Sequence, residues 1–248
     1  MTLDVHLVHL YPTLLNLYGD RGNIMTLRRR AQWRGIALHV HEVGLGENFP
    51  DVPVDILFMG GDQDREQAVV VDDLRTRHAN HLQRLIESGV PFLAVCGSFQ
   101  LLQRFYRPAE GPELLGLGLF DAYTIHPGHD IPRCVGNIVL RWEGETIVGF
   151  ENHGGRTYLE GDTRPLAHVV KGFGNNGTDG TEGARIENLF GTYVHGSLLP
   201  KNPAFADYLL HLALRVRGRQ DALVPLDDTL ENLAHRGALA RARVRRRS

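Results

Sequence analysis

The sequence predicts an α/β fold, with a mostly parallel central sheet, helices on both faces and a mixed or antiparallel extension in the second half. Three observations point there. From residue 5 to about residue 102, apolar runs alternate with segments of helical periodicity, the pattern of strand–helix–strand units whose strands lie parallel. After about Leu115 short strand-like runs follow one another, punctuated by Gly and Pro. Between these regimes, Cys96 ends the apolar run 90–95 and is followed at once by a glycine and an amphipathic stretch, which reads as buried strand, tight turn and helix.

The elements follow in order. Residues 5–10 read as the first strand. The turn cluster Gly19-Asp20-Arg21-Gly22-Asn23 leads into a helix through about Trp33, closed by Gly35 in the position that favours a left-handed backbone. Residues 37–43 form a second strand and 55–59 a third, which ends at Gly60-Gly61. Residues 66–87 carry helical periodicity, with Leu74, His78, Leu82, Leu85 and Ile86 on one side, and Gly89 stops them before the Cys96 strand. In the second half, 119–125, 136–142, 146–150 and 168–170 read as strands, and the run from Leu189 ends on His195. Asn202-Pro203 opens a helix, Asn as cap and Pro in the first helical position, running to about Arg217. A last helix spans 228–241. No repeat or low-complexity linker divides residues 1–248, so one domain is expected, with the arginine-rich residues 242–248 as a flexible tail.

Lys plus Arg number 27 and Asp plus Glu 29, for a formal net charge of −2, which implies no nucleic-acid surface. The two cysteines, Cys96 and Cys134, make no disulfide framework and suit a cytosolic setting. The N-terminus lacks the basic start and apolar core of a signal peptide, and no apolar stretch approaches the roughly 20 residues of a membrane span. The expectation is a cytoplasmic protein with no transmembrane segment.

The chemistry centres on two residues. A strand–turn–helix lifts the Cys96 sulfur above the sheet toward a helix N-terminus, where backbone N–H groups and the helix dipole favour thiolate. About 100 residues later an imidazole, His195, ends another strand. Thiol and imidazole suggest a nucleophile and its base. Gly97 permits the strained turn and leaves a backbone N–H aimed at the site. Gly60 and Gly61 lie at the carboxyl end of a parallel strand, where ligands bind in such sheets, and either could offer a second N–H to an oxyanion. All are expected on one sheet edge. The segment His126-Pro127-Gly128-His129-Asp130 makes a turn rather than the helix of a zinc motif, so no metal is expected. Gly172, Gly174 and Gly177 fit a G-x-G-x-x-G spacing without a following helix, and read as a flexible loop. No cofactor is expected.

Val95-Cys96-Gly97-Ser98-Phe99-Gln100-Leu101-Leu102 resembles the nucleophile motif of class I glutamine amidotransferases, in the branch that includes cobyric acid synthases. Phe150-Glu151-Asn152-His153-Gly154-Gly155 and Tyr193-Val194-His195-Gly196 match two further blocks of that branch. Leu10-Tyr11-Pro12, Asn16-Leu17-Tyr18-Gly19-Asp20-Arg21-Gly22-Asn23-Ile24 and Arg30-Ala31-Gln32-Trp33-Arg34-Gly35 resemble the GatD family, the glutaminase subunits of lipid II isoglutaminyl synthases. The resemblance runs from about residue 10 to residue 199.

It implies a flavodoxin-like amidotransferase fold in which Cys96 attacks the side-chain amide of L-glutamine and His195 moves the protons. Gly97, with Gly60 or Gly61, would hold the oxyanion. Gln100 would orient the catalytic loop or bind substrate, and Arg133 would clamp the carboxylate of glutamine, as guanidinium geometry suits. The implied partner is a MurT-like ATP-dependent Mur ligase, joined in a heterodimer. It would activate the D-glutamate of the lipid II stem peptide at the inner face of the membrane. This chain has no Walker A route to such activation, since neither Lys171 nor Lys201 follows a glycine or precedes Ser or Thr. In one departure from the family, His195 is followed by Gly196-Ser197 where many class I enzymes carry Pro and Glu. Glu151 could then be the orienting acid, or the site could work as a dyad. Asp20, Arg21 and Asn23 belong to the partner interface or to the site rim. Two other readings compete: the amidotransferase part of a cobyric acid synthase-like enzyme, and a catalytically silent scaffold for a partner ligase.

Overall fold

Strands β1 (Leu3–Leu10), β2 (Ile36–Val43), β3 (Ile56–Met59) and β4 (Phe92–Val95) are the parallel heart of the molecule. The structure, a computed structural model, describes the chain except residues 1–2, 17–19, 62–63, 196–197, 220–221 and 244–248. Every residue of β3 and β4 is buried, which is why these strands read as unbroken apolar runs rather than alternating ones. Between them lie α1 (Arg21–Trp33), α2 (Asp64–Asp73) and α3 (Ala79–Glu87), and the short α4 (Gly97–Leu101) follows β4. The helix expected over 66–87 is interrupted by one wide π turn at Leu74–His78. Local insertions of this kind occur inside α-helices, and here Leu74, His78 and Leu82 all stay buried across it.

The second half builds β5 (Phe105–Arg107), β6 (Leu114–Leu115), β7 (Ala122–Ile125), β8 (Cys134–Trp142), β9 (Glu145–His153), β10 (Arg156–Leu159), β11 (Ala167–Lys171), β12 (Thr181–Glu182), β13 (Ala184–Ile186), β14 (Leu189–Thr192) and β15 (Val194–His195). Helices α5 (Pro203–Val216) and α6 (Thr229–Arg243) complete the chain. The central sheet has the order β13-β14-β4-β3-β1-β2, parallel except for β13 at the edge. A second sheet, β12-β11-β8-β9-β15, is antiparallel, and a third small sheet has the order β10-β7-β5-β6. The long β8–β9 hairpin turns on Glu143 and Gly144, both with positive φ (46° and 89°), the backbone that a two-residue turn needs to match strand twist.

The chain passes between the two larger sheets at Gly183, from β12 to β13, and again after β14. β14 runs parallel beside β4, with Thr192 opposite Val95. The chain then leaves that sheet at Tyr193 and re-forms as β15 against β9, with His195 opposite Phe150. His195 therefore does not end a strand of the central sheet, as expected from sequence; it approaches from the antiparallel one.

One apolar core includes Val5, Phe58, Phe92 and Phe190 from the first sheet, Phe99 from α4, and Ile138, Leu140, Trp142 and Ile147 from the second sheet. Arg30 of α1 is buried (1% exposed) and forked between Asp207 (2.6 and 2.7 Å) and Asp228 (2.6 and 3.0 Å), tying α1 to α5 and to the approach of α6. Helix α6 runs two residues beyond its expected end, and Ala242 packs against Val139 and Val148. The start of the expected 242–248 tail thus belongs to a packed helix; residues 244–248 lie outside the described residues. Among the described residues no helix is long and apolar enough to cross a membrane.

Candidate active site

Cys96 takes the backbone conformation φ 54°, ψ −111°. A left-handed φ in a residue with a side chain is strained, costing of order 1–3 kcal/mol. Hydrogen bonds on both sides hold it: the Cys96 N–H donates to the Thr192 carbonyl (2.8 Å), and the Cys96 carbonyl accepts from the Gln100 N–H (3.1 Å). The Ser98 hydroxyl donates to the carbonyl of Gly60, locking the turn to the end of β3. This geometry is the sharp elbow that raises a nucleophile above its sheet.

His195 is fully buried, and it meets Cys96 and Asp20 around Gly61. A Cβ built on Gly61 would lie 2.7 Å from His195 Cε1, 3.2 Å from Cys96 Cβ and 3.2 Å from Asp20 Oδ2. Asp20 Oδ2 accepts the Gly61 N–H (2.6 Å), and its Oδ1 stands 3.8 Å from His195 Nδ1. Burial alone would push the imidazole toward neutrality. The charge of the Cys96 sulfur, then hydrogen bonding and charge from Asp20 together with the hydrogen bond to Cys96, outweigh it and push the His195 pKa up to about 10. The ring thus stands between a sulfur and a carboxylate, both of which favour its protonated form.

The acid beside the histidine is therefore Asp20, not Glu151. Glu151 is buried, but its oxygens accept the N–H groups of Phe173 (2.7 Å) and Gly174 (2.9 Å), and its nearest imidazole is that of His153, 3.9 Å away. It pins the glycine-rich loop. That loop, expected to be flexible, is held further by Asn175, bonded to Thr181 and Gly183, and by Asn176, bonded to Asp179 and the Thr157 carbonyl. A signal for Asp20 did exist in the sequence: it follows the first strand, and loops at the carboxyl ends of parallel strands are where sites form.

The other expected residues fall as follows. The Gly61 N–H is engaged by Asp20 and is not offered to an oxyanion in this arrangement. Gly60 is required by packing, since a Cβ there would lie 2.2 Å from the Leu15 carbonyl oxygen. Gly97 opens α4 directly after the sulfur. Gln100 is buried beneath the elbow, where it accepts from Gln67 Nε2 (2.9 Å) and donates to the Tyr193 hydroxyl (3.1 Å). Both ends of its amide are used within the protein, so it anchors the turn rather than reaching for a substrate. Tyr193 in turn bonds Thr157 (2.6 Å) and stacks on His153 at 3.9 Å. Arg133 is exposed and donates to Asn152 Oδ1 (3.1 Å). It precedes Cys134, which pairs with His153 on β9, whereas His195 lies opposite Phe150 and so level with Asn137 of β8; Arg133 therefore stands two strands across and four residues along from His195, about 16 Å between backbones. A second imidazole, His9, lies near Asp20 at the end of β1; burial, then the charge of Arg21, push it down to about 4.

Residues 6–203 match the CobB/CobQ-like glutamine amidotransferase domain family. The chain is 41% identical over 246 residues to the lipid II isoglutaminyl synthase (glutamine-hydrolyzing) subunit GatD of Staphylococcus aureus, covering 99% of both chains. It is 40% identical to the subunit of the same name from Streptococcus pneumoniae, covering 90% of this chain and 85% of that one. Among solved structures it resembles one of PurLQS from Thermotoga maritima, with a TM-score of 0.56 at 18% identity, covering 96% of this chain and all of that one. At that identity the likeness concerns the fold.

Proposed function

The chain belongs to the CobB/CobQ-like glutamine amidotransferase family, and we propose that it is the glutamine-hydrolysing subunit of a lipid II isoglutaminyl synthase. The observation that supports this most is the strained Cys96 elbow with the buried His195 ring beside it and Asp20 behind.

The chemistry follows from that pairing. The Cys96 sulfur adds to the side-chain carbonyl carbon of glutamine. The oxyanion that forms is stabilised by the Gly97 N–H at the start of α4; one such donor is worth about 3 kcal/mol of barrier. His195, already protonated, gives its proton to the departing nitrogen, so ammonia leaves and a thioester remains. Water then attacks the thioester, His195 takes a proton from it, and glutamate departs. Asp20 keeps the imidazole oriented and favours its charged form throughout. Gln100 holds the elbow in place. Arg133 binds the α-carboxylate of glutamine after exchanging its contact with Asn152. The ammonia passes to a MurT-like ATP-dependent ligase, paired with this chain as a heterodimer. There it amidates the activated D-glutamate of the lipid II stem peptide at the inner membrane face.

Glutamate release from L-glutamine by the purified full chain, alone and mixed with such a ligase, tests the proposal. Activity in either setting that disappears in Cys96→Ala, while the variant still binds the ligase, supports it. No hydrolysis in either setting refutes it and favours the scaffold.

A further inference from the structure

A buried carboxylate that the scheme above does not use lies under the strand crossover between the two reactive residues. Glu182, on β12, is fully buried. Its Oε1 accepts the backbone N–H of Tyr193 (2.7 Å) and the hydroxyl of Thr192 (2.9 Å). Thr192 is itself a junction. Its carbonyl accepts the Cys96 N–H (2.8 Å), and its hydroxyl oxygen accepts the Val194 N–H (3.0 Å). These are the residues where the chain leaves the central sheet for the antiparallel one, so the N–H groups of 193 and 194 are bonded here by side chains. One carboxylate oxygen thus ties together the segment that presents His195 and the carbonyl that fixes the Cys96 elbow.

The remaining oxygen, Oε2, is buried with no hydrogen-bond partner among the described residues. Burial, with the charge of Glu151 adding to it, pushes the Glu182 pKa up to about 7 against the opposing hydrogen bonds from Tyr193 and Thr192 and the charge of His195. An acid kept at such cost beside a reactive pair calls for a reason other than stability. Its place under the crossover supplies one.

We propose that Glu182 is a positioning residue: by accepting from Thr192 and Tyr193 it sets the distance between the Cys96 sulfur and the His195 ring. This rests on the glutaminase reading, and deepens it. The acceptor, not the packing volume, is what the role requires. Glutamine at 182 keeps an oxygen acceptor for both donors, whereas alanine leaves the Tyr193 N–H and the Thr192 hydroxyl without one.

The test uses the full chain with its ligase partner. In Glu182→Ala, kcat for glutamine hydrolysis is expected to fall by about a hundredfold, the scale of a 1 Å misplacement, with KM within about threefold. Glu182→Gln is expected to restore most of kcat. Alkylation of Cys96 by iodoacetamide, followed by peptide mass, needs no turnover; it is expected to slow in Glu182→Ala and to recover in Glu182→Gln. If Glu182→Ala does not fold, Glu182→Leu, which keeps the bulk and removes the acceptor, carries the same expectation. A folded Glu182→Ala with unchanged kcat and alkylation rate overturns the proposal, as does a Glu182→Gln variant as impaired as the alanine one. Failure of the wild-type complex to hydrolyse glutamine would instead count against the glutaminase reading, and the alkylation rates would still judge Glu182.

Discussion

Gly61→Ala adds a single methyl group at the point where Asp20, Cys96 and His195 converge. The backbone at Gly61 is not in the left-handed region, so alanine meets no conformational penalty and the effect is steric. The new carbon would sit 2.7 Å from His195 Cε1 and 3.2 Å from Cys96 Cβ, where a normal carbon–carbon contact is about 3.5–4.0 Å. Relief requires about 1 Å of movement. The imidazole is fully buried and belongs to a strand paired with β9, so it cannot swing into solvent. A displacement of that size in a catalytic pair costs about a hundredfold in rate, or about 2.7 kcal/mol of barrier. Overpacking would also lower stability by about 1–3 kcal/mol. The assay is glutamate release by the full chain with its partner, as kcat and KM separately, alongside thermal melting. Gly136→Ala, where an added Cβ meets nothing within 4 Å, is the control. A Gly61→Ala variant with kcat within threefold of wild type would refute the convergence of these three side chains.

Further expectations follow from the same geometry. Asp20→Asn keeps an acceptor for the Gly61 N–H but removes the charge behind His195, so the imidazole pKa falls and kcat drops about a hundredfold or more; the pH dependence of Cys96 alkylation in wild type and variant checks the direction. His9 has a folded pKa of about 4 against 6.5 for the free side chain. The unfolded chain therefore binds its proton first on acidification, and up to about 3 kcal/mol of stability is lost as pH falls from 6.5 toward 4; His9→Gln should flatten that part of a melting-temperature–pH curve. His195 has the opposite sign: its folded pKa is raised, so its contribution is complete below pH 6.5 and is lost as pH rises toward 10. Arg30→Ala takes the guanidinium from Asp228 and leaves Asp207 with Arg34 alone (2.6 and 3.0 Å); it should cost about 3 kcal/mol, read as a lowered denaturant midpoint with the Cys96 site unchanged until unfolding.

By itself the sequence determined the parts whose cause is local. Unbroken apolar runs announced β3 and β4, because a strand buried on both faces has no polar side to show. Cys96 followed by Gly97 announced the elbow, because few residues permit that turn. The resemblance pointed to the family and to His195. What only the tertiary structure decided is which groups meet. Asp20 and Glu151 are equally acidic in sequence, yet the loop after β1 brings the first to the imidazole while the second is consumed by two backbone N–H groups of a glycine loop. Gly61 looked like an oxyanion donor until Asp20 took its N–H. Glu182 carried no sequence signal, since its role depends on a crossover between two sheets that no short stretch of residues encodes. Contacts of this kind join residues from Asp20 to His195 along the chain, and the packing of the two sheets, not any local preference, sets which of them come within reach.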